Sequence, residues 1–397
     1  MRLPLVLLVF LVGGCDDGPE PVACRFGPSH LVGTTRSPAF DDLRLVDEQE
    51  GLSLYWSDAA GLHRRGLSAD GAPRNDAVRI GARCEGGFDV LAEPAGSTLA
   101  CLQRGDPDRG RAGQISVRSP DGATQHTGPV GVESRGVQLV RDADGLRVGW
   151  RDADGFVSVA RESVSEGGTL STEGRILSSH GTFASAPQYL ARDGSLLRAW
   201  TESWLEDGQA TGHLFVQRDE RPPRPSLDVG DLDVRIHLDA DPRGPLVSLR
   251  DSRPRGARHR LFVGRPDENL AVHLSDVRSP SRADADGAAP FVPPCGDHVF
   301  ALSTRRSSRG VTMVTVERLD PETLRSAEAE HQIYEYHARF PQVVAACVDG
   351  TLLLAVGERA TEVSPRPRLR TYTLRCAPGL EHQRTPRIDG REHDLVD

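Results

Sequence analysis

Short apolar runs alternate with polar turns along most of the chain, and the runs come in pairs. Residues 52–56, 97–101, 146–150, 195–200, 245–249, 298–302 and 351–355 each read as a strand bounded by Gly, Asp, Pro or Ser. A partner strand follows, as at 156–159, 214–216, 261–263, 311–316 and 369–374. A candidate innermost strand precedes the pair, as at 137–140, 187–190 and 341–344. Asp-Gly pairs at Asp70-Gly71, Asp121-Gly122, Asp144-Gly145, Asp154-Gly155, Asp193-Gly194, Asp207-Gly208 and Asp349-Gly350 supply the positive φ that tight hairpins require. The one helical pattern, at 320–329, predicts a short helix in a loop.

The units start near Gly51, Gly96, Gly145, Gly194, Gly244, Asp297 and Gly350, 45 to 53 residues apart. A strand-built repeat of this length is the signature of a propeller blade, four antiparallel strands around a central channel. The pattern therefore predicts an all-β fold, a β-propeller of seven four-stranded blades over residues 24–378. A strand within 24–32 would close the ring against the last blade, and residues 379–397 read as a polar tail. A pair of β-sandwiches is the alternative fold, but it does not require so regular a period.

The N-terminus departs from this rhythm. Arg2 precedes an apolar run from Leu3 to Val12, which ends at Gly13-Gly14-Cys15. The run is too short for a bilayer span, which takes about 20 residues, and reads as the core of a secretory signal. The stretch Leu11-Val12-Gly13-Gly14-Cys15 resembles the lipobox of bacterial lipoproteins, although Val12 stands where leucine is usual. The resemblance implies cleavage after residue 14, lipid attachment at Cys15, and a charged tether over 15–23. An ordinary signal peptide with an incidental cysteine is the competing reading. Which membrane would hold the anchor stays open.

Export gives meaning to the other six cysteines, Cys24, Cys84, Cys101, Cys295, Cys347 and Cys376. An even number in an exported chain points to disulfides, but six cysteines allow 15 pairings. A Cys24–Cys376 bond would lock a closed ring. Cys84 and Cys101 suit neighbouring strands of one blade, and Cys295 and Cys347 fall near equivalent inner strands of successive blades.

Composition narrows the chemistry. The formal charge is −9, which disfavours nucleic acid or anionic lipid as the main partner. All 48 basic residues are arginine. Without lysine there is no Walker A clamp, Schiff base or Ser-Lys pair. No motif marks a cofactor, metal or catalytic site. The aligned Trp56, Trp150 and Trp200 read as blade packing rather than ligand stacking. Asp142-Ala143-Asp144, Asp152-Ala153-Asp154 and Asp284-Ala285-Asp286 look like fragments of calcium loops but lack the further ligands such loops need. His237, Asp239 and Asp241 are candidates for acid and base in a channel, although solvated strand-end charges are commoner.

Two functional readings follow. One is a monomeric, membrane-anchored, noncatalytic propeller that binds an envelope or extracellular protein or glycan. The other is an exported hydrolase or lyase acting on glycans from the central channel.

Overall fold

The computed structural model describes residues 22–378 apart from 38, 156, 167–168, 172–173, 179–182, 229–234, 252–259, 278–292, 307–311, 326, 328–330, 337–341 and 359–365. The leader, Cys15, nearly all of the tether, the 379–397 tail and Asp284 to Asp286 lie outside the described residues.

The fold is an all-β propeller built from antiparallel four-strand blades. The first sheet runs Asp42–Glu48, Gly51–Asp58, Gly61–Gly66, Val78–Gly81, each strand beside the next. The second repeats this order with Gly87–Glu93, Gly96–Gln103, Gln114–Arg118 and Thr124–His126. Two more four-stranded sheets begin at Arg235–Asp241 and Pro294–Cys295. The closing sheet joins both ends of the chain. Gln342–Val348, Thr351–Gly357 and Arg368–Pro378 pair in order, and the N-terminal strands Val22–Phe26 and His30–Thr34 both pair with Arg368–Pro378. The first strands of successive units neighbour one another in a cycle that returns from Gln342–Val348 to Asp42–Glu48.

The even series of separate blades is interrupted between residues 135 and 228, where the strands join into one curled, ten-stranded sheet. The bridge is Phe183–Ala184. Phe183 pairs in parallel with Ser158 and antiparallel with Ser203. The Ser158 hydroxyl accepts from the Ala184 amide at 3.0 Å and reinforces the joint. The hairpin Ser195–Glu206 and Gln209–Arg218 has strands of 12 and 10 residues, against 8 for Gly51–Asp58. Its extra length supplies the edge that Phe183–Ala184 occupies.

Local chemistry explains the hairpins. Asp193-Gly194, Asp207-Gly208 and Asp349-Gly350 all have positive φ at both positions, as a type I′ turn needs. The predicted helix at 320–329 does not form among the described residues. The Asp320 carboxylate accepts from the Glu322 and Thr323 amides, and Leu324 takes a φ of 55°. That left-handed residue ends the turn after one loop and buries Leu324 beneath it.

Apolar clusters lie between neighbouring sheets rather than in one centre. Leu54 and Trp56 of the first sheet meet Leu353 and Ala355 of the closing sheet, while Tyr55 and Leu62 on its other side meet Phe88 and Cys101. Polar contacts follow the same repeat. Ser97 donates to Glu48 and Arg141 to Glu93, while the Leu139 amide donates to Asp89 at 2.7 Å, each reaching back 48 to 50 residues. Each of these bonds therefore joins one unit to the next.

Three disulfides pair the six cysteines. Cys24–Cys376 joins directly opposed residues of the closing sheet, 352 residues apart in sequence. Cys295–Cys347 ties the first strands of adjacent sheets, and Cys84–Cys101 ties the connection after the first sheet to the second strand of the next. Cys84 thus stands in a connection, not in a strand.

Because Cys24–Cys376 closes almost the whole chain, replacing both cysteines by serine should cost about 2–5 kcal/mol. Urea unfolding of the oxidised protein checks this. A loss no larger than that for the Cys84 and Cys101 pair would contradict the ring-lock role.

Candidate functional site

Buried charge must be paired or it destabilises the fold. The interior of this protein follows that rule, and two of the places where it does so differ in exposure to solvent.

The first place is the ten-stranded sheet. Arg198 and Glu162 are fully buried, and the Arg198 Nε donates to Glu162 Oε1 at 2.9 Å. Arg147 donates to Glu162 at 3.2 Å and to the Asp142 carboxylate at 2.5 Å. Arg175 donates to Glu162 at 2.8 Å and to Glu220 at 2.7 Å. Arg198 reaches Glu220 at 3.0 Å. Three guanidinium groups thus meet two glutamates, and each fork bonds more than one strand or turn. Nearby, a Cβ on Gly149 would fall 2.2 Å from the Tyr189 hydroxyl, so only glycine allows that approach. This network joins strands; Arg198 and Glu162 have no open side for a ligand.

The second place is a cleft of 510 Å³ between the first and second sheets. Glu48, the last residue of its strand, stands at its base. Glu48 Oε1 accepts from the Tyr55 hydroxyl at 2.5 Å and from Ser97; Oε2 accepts from Ser53 at 2.5 Å and from Arg64. Burial opposes the charge, but the hydroxyls of Ser53, Ser97 and Tyr55 and the Arg64 guanidinium outweigh it, so the carboxyl is held below its ordinary range. Burial and the Glu48 carboxylate push the Tyr55 phenol upward. The Arg64 guanidinium also lies over the Tyr55 ring, 5.9 Å from its centre.

Ile80, Val90 and Leu99 form the apolar part of the cleft wall, with Arg118 and Glu93 beside them. The rim is made of the turns at 94–96 and 119–122. Glu93 occupies the place of Glu48 one unit on. Each bonds the side chain five residues later, Glu48 to Ser53 and Glu93 to Thr98, and Asp142 does the same with Arg147. The hairpin thus carries a recurrent acidic anchor.

The cleft opens at the end of the ring where the first hairpins turn. These turns meet one another: Arg192 donates to the carbonyls of Asp241 and Pro242, and Gly296 lies against Gly350. Val22 pairs with Pro378, and Arg375 with Thr351 beside the Asp349-Gly350 turn, so the chain enters the ring at this same face.

The residues singled out from sequence are dispersed. Trp56, Trp150 and Trp200 are buried in three different apolar clusters, as packing demands. Asp142 accepts from the amides of Asp144 and Gly145, and Asp152 from the Gly131 amide and the Ser134 hydroxyl. No acidic or His/Cys group suited to a metal ion occurs among the described residues. His237, Asp239 and Asp241 share one side of Arg235–Asp241, because Ile236 and Leu238 between them enter an apolar cluster. Asp241 is a turn anchor, accepting from the Arg243 amide at 2.8 Å and from Arg265 at 3.1 Å. Burial alone pushes the Asp239 carboxyl up to about 7.

Sequence reading missed Glu48, Tyr55, Arg64 and Ser97. The run Asp47 to Glu50 reads as a solvated turn, and Ser97 reaches Glu48 only through packing. The charged network left a signal, since Arg147 and Arg198 each interrupt an otherwise apolar strand.

No protein-family model matches the chain, and no curated protein matches it in sequence. Several solved structures are similar in shape. The propeller domain of the Trilobed protease from Pyrococcus furiosus has a TM-score of 0.49 at 9% identity, covering 83% of this chain and 93% of that one. The AfRom2 CNH domain has a TM-score of 0.45 at 9% identity, covering 87% and 98%. The parainfluenza virus 5 hemagglutinin-neuraminidase ectodomain has a TM-score of 0.44 at 7% identity, covering 90% and 85%. Likenesses this distant carry no functional argument.

Two substitutions separate the charged groups. Glu162→Ala leaves Arg198 buried without its main partner and should cost about 3–5 kcal/mol, read by chemical denaturation. Asp239 has the opposite sign. Its folded value lies above its unfolded one, so stability falls as pH rises from about 4 to 7, while the unfolded carboxyl ionises and the folded one stays neutral. Asp239→Asn should therefore raise the melting temperature at pH 8 and leave it little changed at pH 4. Equal shifts at both pH values would contradict this assignment.

Proposed function

We propose that this protein is an exported lipoprotein, a seven-bladed propeller held to a bacterial membrane through Cys15, that binds an envelope or extracellular protein or glycan without catalysis. The observation that carries this reading is the cleft beside Glu48. Its polar groups are locked to one another before any ligand arrives, and such preorganisation favours binding. Glu48 itself is held ionised by four donors and is a poor proton donor near neutrality.

The count of seven rests on dividing the ten-stranded sheet at Phe183–Ala184. Arg135–Arg141 and Gln188–Arg192 then each head a blade, and the cycle of first strands has seven members. Export agrees with three disulfides. The chain between Cys15 and Val22 spans at most about 25 Å. Lipid at Cys15 would therefore turn the cleft-bearing face toward the membrane.

The second reading, a hydrolase or lyase, is favoured by Asp239. It lies on the first strand Arg235–Asp241, and burial raises its carboxyl to about 7, near neutrality as a general acid or base requires. Glycan cleavage that disappears in Asp239→Asn while folding is kept would replace the binding reading with this one.

Mass spectrometry of the mature N-terminal peptide should find a lipid-modified Cys15, and an unmodified Cys15 overturns the anchor. Crosslinking in native cells should then recover a stoichiometric envelope component. Recovery of background proteins only, with glycan cleavage by the purified protein, overturns the noncatalytic role.

A further inference from the structure

We infer that the cleft between the first and second sheets takes a neutral, hydroxyl-rich ligand, a sugar unit of a glycan. This rests on the binding reading above and narrows it to one site and one class of ligand.

A hydroxyl has a single proton to donate and two lone pairs. Tyr55 and Ser97 both donate theirs to Glu48 Oε1. Their oxygens can only accept from whatever enters the cleft. Glu48 takes two donors on each oxygen, so its hydrogen-bonding capacity is filled from within the protein. Arg64 and Arg118 also line the cleft and can only donate. Each wall therefore offers one acceptor and one donor, Tyr55 and Arg64 on the first sheet and Ser97 and Arg118 on the second, and a ligand must both donate and accept. Adjacent hydroxyl groups do both; a carboxylate or phosphate only accepts, and an ammonium only donates.

Charge and shape agree. Arg64 is paired with Glu48, and Glu93 with Arg141. The lining sets Glu48, Glu50 and Glu93 against Arg64 and Arg118, so a charged ligand buried here would meet both signs, several of them already paired, and its own desolvation would be poorly compensated. A neutral ligand avoids that cost. The apolar wall of Ile80, Val90 and Leu99 suits the C–H face of a pyranose ring, and 510 Å³ lies within the usual range for small-ligand sites.

The test uses the full-length mature protein in detergent. Maltotriose, lactose and N,N′-diacetylchitobiose are titrated calorimetrically, with a uronic-acid disaccharide as the charged control. At least one neutral sugar should bind, and more tightly than the control. Ala95 is exposed on the rim turn, so Ala95→Trp should obstruct the cleft without touching the core. It should weaken binding by about tenfold or more at an unchanged melting temperature. Tyr55→Phe, which removes an acceptor from the cleft, should weaken binding by about tenfold.

Failure of all three neutral sugars, tighter binding of the charged one, or binding that survives Ala95→Trp overturns the inference. These outcomes leave the broader reading standing if crosslinking still recovers a stoichiometric envelope component. Cleavage of a bound sugar overturns the noncatalytic reading instead.

Discussion

Each sheet of the ring has two apolar faces and can cover neither by itself, so every sheet depends on its neighbours being in place. The dependence ends at one seam. Arg368–Pro378 pairs on its free edge with Val22–Phe26 and His30–Thr34, strands from the other end of the chain. Without that pairing, the apolar cluster between Trp56 and Leu353 would open, and the last long strand would expose an edge. Cys24–Cys376 makes the seam covalent. The disulfide between Cys295 and Cys347 does the same for two inner strands one unit apart.

The polar interior follows from an arginine-only set of cations. A guanidinium offers five donors in a planar fork, so one side chain can bind several carboxylates or carbonyls at once. Arg198 meets Glu162, Glu220 and the Asp219 carbonyl. Arg147 meets Glu162, Asp142 and Asp144. Such forks sit where strands and turns from separate units approach, and they fix register as well as charge.

Burial acts on Glu48 and Asp239 in the same direction and with opposite results. Both lie on first strands, and desolvation disfavours the charge of each. Glu48 receives three hydroxyls and a guanidinium, which outweigh burial and keep it ionised. Asp239 has burial as its only perturbing influence, and its carboxyl rises to about 7. Neighbours supplied by packing decide whether a buried carboxylate serves as a fixed acceptor or a titrating acid.

Strand pattern and period belong to the sequence itself. Alternating runs, Asp-Gly turns and a recurrence of 45 to 53 residues place nearly every second strand, because pleat and turn geometry are local properties. Buried tryptophans and turn-bound aspartates were legible for the same reason. The leader and its cysteine are written in the sequence as well, as an expectation about anchoring. Only the tertiary structure joined Phe183–Ala184 to two hairpins and set Ser97 against Glu48. Those outcomes depend on contacts between residues up to 50 positions apart. The order of residues within one repeat does not specify how the next will pack against it.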